Sequence, residues 1–426
     1  PGRLDQILLP YYRADVDDGR LDEEGARELV GCFTVKMCEI VPVFSRRITR
    51  IHGGMFNGQV VVVGGTDREG NDATNELTWL FLDAMDHLRM RQPNFHARIH
   101  AGSPPELLER IADMLRRGSG APSLMNDDCV APMLAERGAS MEDARDYSPV
   151  GCVEPVACAT TFGSTDAALV NLALPLERAL GTRRGGAELP PLASCESLDD
   201  VVERLRIQID HLVDEAVADL QAVERANARH HPTPLTSVLL RGCLESGVDA
   251  SAGGARYNSS GVQGVGVADL ADSLAAVDEV VFRRRECDLD TLCAALKKDF
   301  AGQEVLRGYL LRAPKYGNDH PGVDALADRV MGLFADSLGR HRNTRDGPYF
   351  AGFYSVTVHE AFGEHTGALP SGRRAGRALA NGLSPATGLD RLGPTAALNS
   401  TARLDLGGRA RNGINVNIKL DRGLMA

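Results

Sequence analysis

The sequence predicts an α/β fold built on a parallel sheet or barrel, and three observations lead there. The run Val60-Val61-Val62-Val63 is wholly apolar and ends at Gly64-Gly65, the pattern of a strand buried on both faces. Short apolar runs of this kind alternate with segments of helical period as far as Cys152, a β/α pattern. With 426 residues, 43% of them hydrophobic, the chain can bury a large core, and barrels of this class run long as single units.

Taken in order, residues 1–50 read as helical. Asp22-Glu23-Glu24 gives one helix an acidic start, and Leu21, Ala26, Leu29, Val30 and Phe33 follow at helical spacing. After the valine strand, Asp72 to Met90 reads as a helix, Phe95 to Ile99 as a second buried strand and Pro104 to Arg117 as a helix. A short strand from Ser123 to Met125 comes next. Beyond Cys152 the expectation is an apolar helix from Ala167 to Leu180, a loop through Pro190-Pro191, and a long amphipathic helix from Leu198 to Arg229. A strand from Leu235 to Leu240 and a glycine-rich segment up to Gly266 follow. Helices are expected over Leu270–Arg283, Thr291–Phe300 and Gly322–Arg342, then a strand from Ala351 to Val358. Pro370 to Ala397 reads as a long loop, and alternating Ile414, Val416 and Ile418 as a final strand. No internal repeat occurs, and the nearest candidate boundary is Thr182 to Pro191.

Composition narrows the function. The net charge is −11 without a dominant basic cluster, so no nucleic-acid footprint is expected. No run approaches 18 apolar residues, so no membrane span is expected, and no apolar signal region follows Pro1. Nine cysteines without regular pairing suit a reduced cytoplasm better than a disulfide scaffold. There is no C-x-x-C, and His359, Glu360, Glu364 and His365 do not have the H-E-x-x-H spacing, so no metal site is expected. Gly261, Gly264 and Gly266 do not have the order of a dinucleotide-binding fingerprint. His230 and His231 precede a proline and read as a surface turn, whereas Tyr354 or His359 could line a pocket.

The chemistry centres on Ser148-Pro149-Val150-Gly151-Cys152-Val153-Glu154-Pro155. The two prolines exclude a helix, and in an extended segment residues two apart face the same way, so Cys152 and Glu154 are expected to share a cavity. A carboxylate beside a thiol disfavours the thiolate, which argues against ordinary cysteine nucleophilic catalysis. A hydrogen-atom carrier with an acid or base beside it suits the pair better.

Gly151-Cys152-Val153-Glu154-Pro155 resembles the active-site loop of the glycyl radical enzymes, the superfamily of pyruvate formate-lyase and the glycerol and diol dehydratases. The resemblance continues upstream through Pro1-Gly2-Arg3-Leu4-Asp5-Gln6, Gly64-Gly65-Thr66-Asp67, Asn75-Glu76-Leu77, Gln92-Pro93-Asn94, Asn126-Asp127 and Arg145-Asp146-Tyr147. Downstream it includes Asp166-Ala167-Ala168, Pro370-Ser371-Gly372-Arg373 and Gly393-Pro394-Thr395-Ala396. It implies a ten-stranded β/α barrel, incomplete here, with Cys152 on a loop inside it. One partial barrel domain is expected over residues 1–426. No Arg-Val-x-Gly-Tyr motif, which in the family carries the radical glycine, occurs in these residues, so the chain is expected to be part of a longer enzyme and inactive alone.

The resemblance also implies roles. Cys152 would be the thiyl residue and Glu154 its proton-transfer partner. Asp166, fourteen residues after Cys152, would bind a substrate hydroxyl, although Ser164 and Thr165 replace the Trp and His of the dehydratase motif; a helix N-cap is its other reading. The implied activity is a radical C–O or C–N lyase or dehydratase for a small polyol or amino-alcohol. The alternatives are a radical C–C enzyme, such as an arylacetate decarboxylase or a formate C-acetyltransferase-like enzyme, and an inactive truncated barrel. No bound cofactor is implied beyond a glycyl radical installed by an S-adenosylmethionine iron–sulfur activating enzyme. That enzyme, a small-molecule substrate and a second copy in a homodimer are the implied partners.

Overall fold

In a computed structural model, residues 2–51 and 57–420 are described; Pro1, the first residue of one family-like motif, lies outside them. The chain forms two compact units, one built on residues up to Thr161 and the other on Phe162–Lys419. Both are mixed α/β.

The first unit opens with helices α1 (Leu4–Ile7), α2 (Leu9–Asp17), α3 (Glu23–Glu39) and α4 (Arg46–Ile51). Helix α3 starts at the acidic run as expected, and the Asp22 carboxylate also caps it by accepting from Gly25 N. Strand β1 (Val60–Gly64), helix α5 (Glu76–Leu88), strand β2 (Asn94–Ile99), helix α6 (Pro105–Arg116) and strand β3 (Ser123–Asn126) follow the expected alternation. The sheet is parallel in the order β1-β2-β3, with Val62 opposite His96 and His96 opposite Ser123. Asn75 caps α5 in a reciprocal box with Thr78, which starts the helix later than its apolar period alone indicated. Leu77, Leu80, Phe81, Phe95 and Leu107 pack in the core beside Val61 and Val63. Helices α7 (Asp127–Glu136) and α8 (Met141–Arg145) lead to an antiparallel hairpin of β4 (Tyr147–Val150) and β5 (Glu154–Ala157).

The second unit departs from expectation at its start. Residues 164–171 form strand β6 (Ser164–Asn171), and the helix is only α9 (Ala173–Ala179). The helical reading of Ala167–Leu180 fails because apolar residues buried between strand and helix carry no period that separates the two. Helix α10 (Leu198–His230) is as expected, with a Ser197–Asp200 capping box. The predicted strand at Leu235–Leu240 is instead helix α11 (Pro234–Val238), with Pro234 in its first turn, followed by α12 (Cys243–Ser246).

Strand β7 (Ser260–Val265) is the central strand of a second parallel sheet, β6-β7-β8, and is buried along its whole length. Helices α13 (Val267–Val277), α14 (Leu289–Lys297), α15 (Glu304–Arg312) and α16 (Pro321–Gly339) precede β8 (Tyr349–Gly352). A π-helical turn, Asp278–Arg283, continues α13. Short helices α17 (Val358–Glu364), α18 (Pro394–Ala402) and α19 (Leu406–Arg409) complete the unit. The last expected strand is reduced to a single parallel bridge, Phe353 to Ile414.

Candidate active site

The β4–β5 hairpin presents Cys152. Val150 pairs with Glu154, so Gly151, Cys152 and Val153 form a three-residue turn between the strands. Gly151 has φ +65°, a left-handed conformation that a residue with a Cβ resists. Cys152 N donates to Val150 O at 2.7 Å, which tightens the turn.

The Glu154 carboxylate meets Cys152 at its backbone N–H, through the turn rather than through the alternation of one extended strand. Glu154 is 4% exposed, and its Oε2 accepts from Cys152 N at 3.1 Å and from Val153 N at 2.6 Å. The carboxylate therefore closes back over the peptide that carries the thiol. Backbone donors of this kind suit an acceptor-only carboxylate and hold the turn in one geometry.

The hairpin is seated on charged and polar groups, of which the family-like motifs include Thr66, Asp127 and Tyr147 but not Arg98. Arg98 on β2 is fully buried and binds Asp127 through two bonds, Nε to Oδ1 at 2.8 Å and Nη2 to Oδ2 at 2.7 Å. Its Nη1 donates to Tyr147 O at 3.1 Å and its Nη2 to Arg145 O at 2.7 Å. The guanidinium lies 4.0 Å above the Tyr147 ring, and the Tyr147 hydroxyl donates to Asp127 Oδ1 at 2.8 Å. Burial opposes ionisation of Asp127, but the bonds and charge of Arg98 outweigh it and hold the carboxyl below its ordinary range. Thr66 N and Oγ1 also donate to Asp127, at 2.8 and 3.1 Å.

Arg3 extends the network to Thr66 O at 2.8 Å and to Asp146 at 3.2 Å, and Asp5 accepts from Gly64 N at 2.7 Å. Burial raises the Asp5 carboxyl above its ordinary value. His96, between Asn94 and Arg98 on β2, is 3% exposed, and neither ring nitrogen has a hydrogen-bond partner among the described residues. Burial pushes its pKa down to about 4, so the ring is neutral at physiological pH. Cys158, just beyond β5, is driven the other way: burial pushes its thiol up to about 11, which makes it a poor thiolate. The detectable signal for Asn94, His96 and Arg98 was polar residues at every second position of an otherwise apolar strand.

Asp166 lies in the second unit, on β6, in the stretch between Ser164 and Ala168 where the pairing with β7 shifts register. It is exposed and does not cap a helix. The Thr165 carbonyl beside it accepts from Gln263 Nε2 at 2.7 Å and from Asn412 Nδ2 at 2.6 Å, which fixes the backbone around the irregularity. His230 ends α10, and His231 follows it, exposed. Tyr354 is buried at 2% exposure; His359 is half-buried, with Nδ1 3.1 Å from Ser355 Oγ. Among the described residues, no group of three or more His, Cys, Asp or Glu is placed to hold a metal ion, and no helix is long and apolar enough to cross a membrane.

Comparison with known proteins fits this geometry. The family model for pyruvate formate lyase-like proteins matches residues 1–363. The chain is 32% identical over 414 residues to trans-4-hydroxy-L-proline dehydratase of Clostridioides difficile, covering 95% of this chain and 52% of that protein. Its structure superposes with a TM-score of 0.96 on the glycerol-bound B12-independent glycerol dehydratase of Clostridium butyricum, at 36% identity, over 100% of this chain and 55% of that one. A glycyl radical enzyme of Archaeoglobus fulgidus matches with a TM-score of 0.95 and 40% identity, again over 100% of this chain and 55% of the other. The chain thus spans about half the length of the relatives it matches. On the match of most of its length and the loop that presents Cys152, the chain belongs to the pyruvate formate lyase-like family, the family of the glycyl radical enzymes.

Proposed function

We propose that this chain carries the thiyl cysteine and the proton-transfer carboxylate of a radical C–O or C–N lyase or dehydratase that acts on a small hydroxylated substrate. The observation that carries this reading is the hairpin turn, in which the Glu154 carboxylate is bonded to the backbone N–H of Cys152 itself. The relatives support the class: those matched over nearly the whole chain include dehydratases of trans-4-hydroxy-L-proline and of glycerol.

A glycyl radical, when present, supplies a hydrogen-atom acceptor for the thiol. Cys152 gives up its hydrogen, takes one from a substrate carbon and returns it after the leaving group has gone. Glu154, buried beside it, takes a proton from the substrate or gives one to the departing hydroxyl. Asp166 is the proposed acceptor for a substrate hydroxyl. The two parallel sheets are read as parts of the family's β/α barrel with the Cys152 loop inside it, residues 1–426 as one partial barrel domain, and the radical glycine as encoded outside these residues. An S-adenosylmethionine-dependent activating enzyme and a second copy of the enzyme are the proposed partners.

The test is made on the enzyme that includes the radical-bearing glycine, under strict anaerobiosis. Cys152→Ala should keep the glycyl radical's electron paramagnetic resonance doublet and lose all turnover. Turnover by that variant would make Cys152 structural and this reading wrong.

A further inference from the structure

The Gly151–Cys152 peptide is held at both of its polar ends. Its N–H donates to the Glu154 carboxylate at 3.1 Å, as described above. Its carbonyl, Gly151 O, accepts a hydrogen bond from Asn94 Nδ2 on β2. A carbonyl cannot donate, so the amide nitrogen of Asn94 must face the turn. Gln92 Nε2 donates to Asn94 Oδ1 at 3.3 Å and fixes that orientation from behind; Gln92 is 2% exposed.

The spacing is matched on the two strands. Asn94 and Arg98 lie four residues apart on one face of β2, and the carbonyls they hold, Gly151 O and Tyr147 O, are four residues apart along the hairpin. Arg98 thus anchors the base of the hairpin and Asn94 its tip. Because a peptide unit is planar, fixing its carbonyl and its N–H together fixes the rotations on either side of it. Those are ψ of Gly151 and φ of Cys152, and the second sets the direction of the Cys152 Cα–Cβ bond.

We infer that Asn94 is a positioning residue that aims the Cys152 thiol, through the Gly151 carbonyl, for hydrogen-atom transfer. The inference rests on the proposed role of Cys152. Transfer of a hydrogen atom needs near-contact between the two heavy atoms, and a misplacement of about 1 Å can cost on the order of a hundredfold in rate. Val150 O and Glu154 hold only the N–H end of the peptide, so removal of the Asn94 donor frees the carbonyl end and lets the turn pivot about the N–H.

Two variants decide it, each compared with Cys152→Ala in the radical-loaded enzyme. Asn94→Ala removes the side chain, and Asn94→Asp keeps its volume but cannot donate when ionised. Both should lower kcat about ten- to hundredfold with KM little changed and the radical signal undiminished. In the chain without turnover, hydrogen–deuterium exchange at the Cys152 and Val153 amides should accelerate about tenfold, while peptides of β1 and α5 are unchanged. Unaltered kcat in Asn94→Asp, or faster exchange across the whole unit, would overturn the inference by making Asn94 dispensable or merely a fold residue. An active Cys152→Ala would instead overturn the role of Cys152, which separates the two failures.

Discussion

The two units each hold a parallel three-stranded sheet, and the central strands β2 and β7 differ in chemistry. In the first, β2 carries Asn94, His96 and Arg98 at alternate positions; Asn94 and Arg98 hold a hairpin, Arg98 through charge-assisted bonds, and His96 is buried between them. In the second, the central strand β7 is Ser260-Gly261-Val262-Gln263-Gly264-Val265, and its glycines make room for neighbours. A Cβ on Gly264 would sit 2.8 Å from Leu172 Cδ1 and 3.0 Å from Phe334 Cδ1, and one on Gly261 would collide with the Asn412 amide. The second unit also buries ionisable groups, but Asp269 and Asp272 lie on α13 rather than on the sheet. One sheet is thus a platform for a presented loop, and the other is a closely packed wall. The difference shows that burial of a strand does not specify what its side chains are for; the partner across the face does.

The largest expected effect breaks the platform. Arg98→Met leaves Asp127 buried without its cation and should cost about 3–5 kcal/mol in the first unit. Exchange protection should fall in peptides spanning β2 and the hairpin, while α13 and β7 keep theirs. Equal loss in both units would mean that the two sheets are not independently stabilised.

The next effect sharpens the contrast through pH, because the two buried groups respond to pH in opposite directions. His96 has a folded pKa of about 4, below its ordinary 6.5. Its contribution to stability is present in full above pH 6.5 and is lost as pH falls through 4, to the extent of about 3 kcal/mol. Asp269, wholly buried, has its carboxyl pushed up from 3.8 to about 6 by burial, against the Ala380 N–H that its Oδ2 accepts at 2.7 Å. Its contribution is present in full below 3.8 and is lost as pH rises through 6, again about 3 kcal/mol. Unit-resolved hydrogen exchange across pH 4 to 7, corrected for intrinsic rates, should therefore show the first unit loosening on the acid side. His96→Leu should flatten that slope, and Asp269→Asn should flatten the opposite slope in the second unit. A slope that survives its own substitution would remove that group as the cause.

The smallest effect probes the wall. Gly264→Ala should destabilise the second unit by about 1–3 kcal/mol through overpacking against Leu172 and Phe334, with no dependence on pH or salt. Denaturant unfolding with unchanged stability would show that the two side chains can withdraw.

Much of this molecule was legible in its residues. Val60–Val63 ending in glycine could be little other than a buried strand, and Asp22-Glu23-Glu24 and the period of Leu198–Arg229 fixed two helices. The absence of a helix between Cys152 and Glu154 was readable from the prolines around them. Three things were decided only by tertiary structure. Strands β6 and β7 depend on neighbours such as Leu172, Phe334 and Asn412, so local pattern reads part of one as helix and marks the other only as a glycine-rich segment. The bonds of Asn94 and Arg98 reach carbonyls some 50 residues away in sequence, which no periodicity encodes. The way Glu154 reaches Cys152 depends on a turn with Gly151 at positive φ, so the carboxylate meets the thiol's own peptide rather than lying beside it on a strand. Sequence fixes what is local, because propensity and period act over a few residues; the partners that give a buried polar group its task are chosen by the fold.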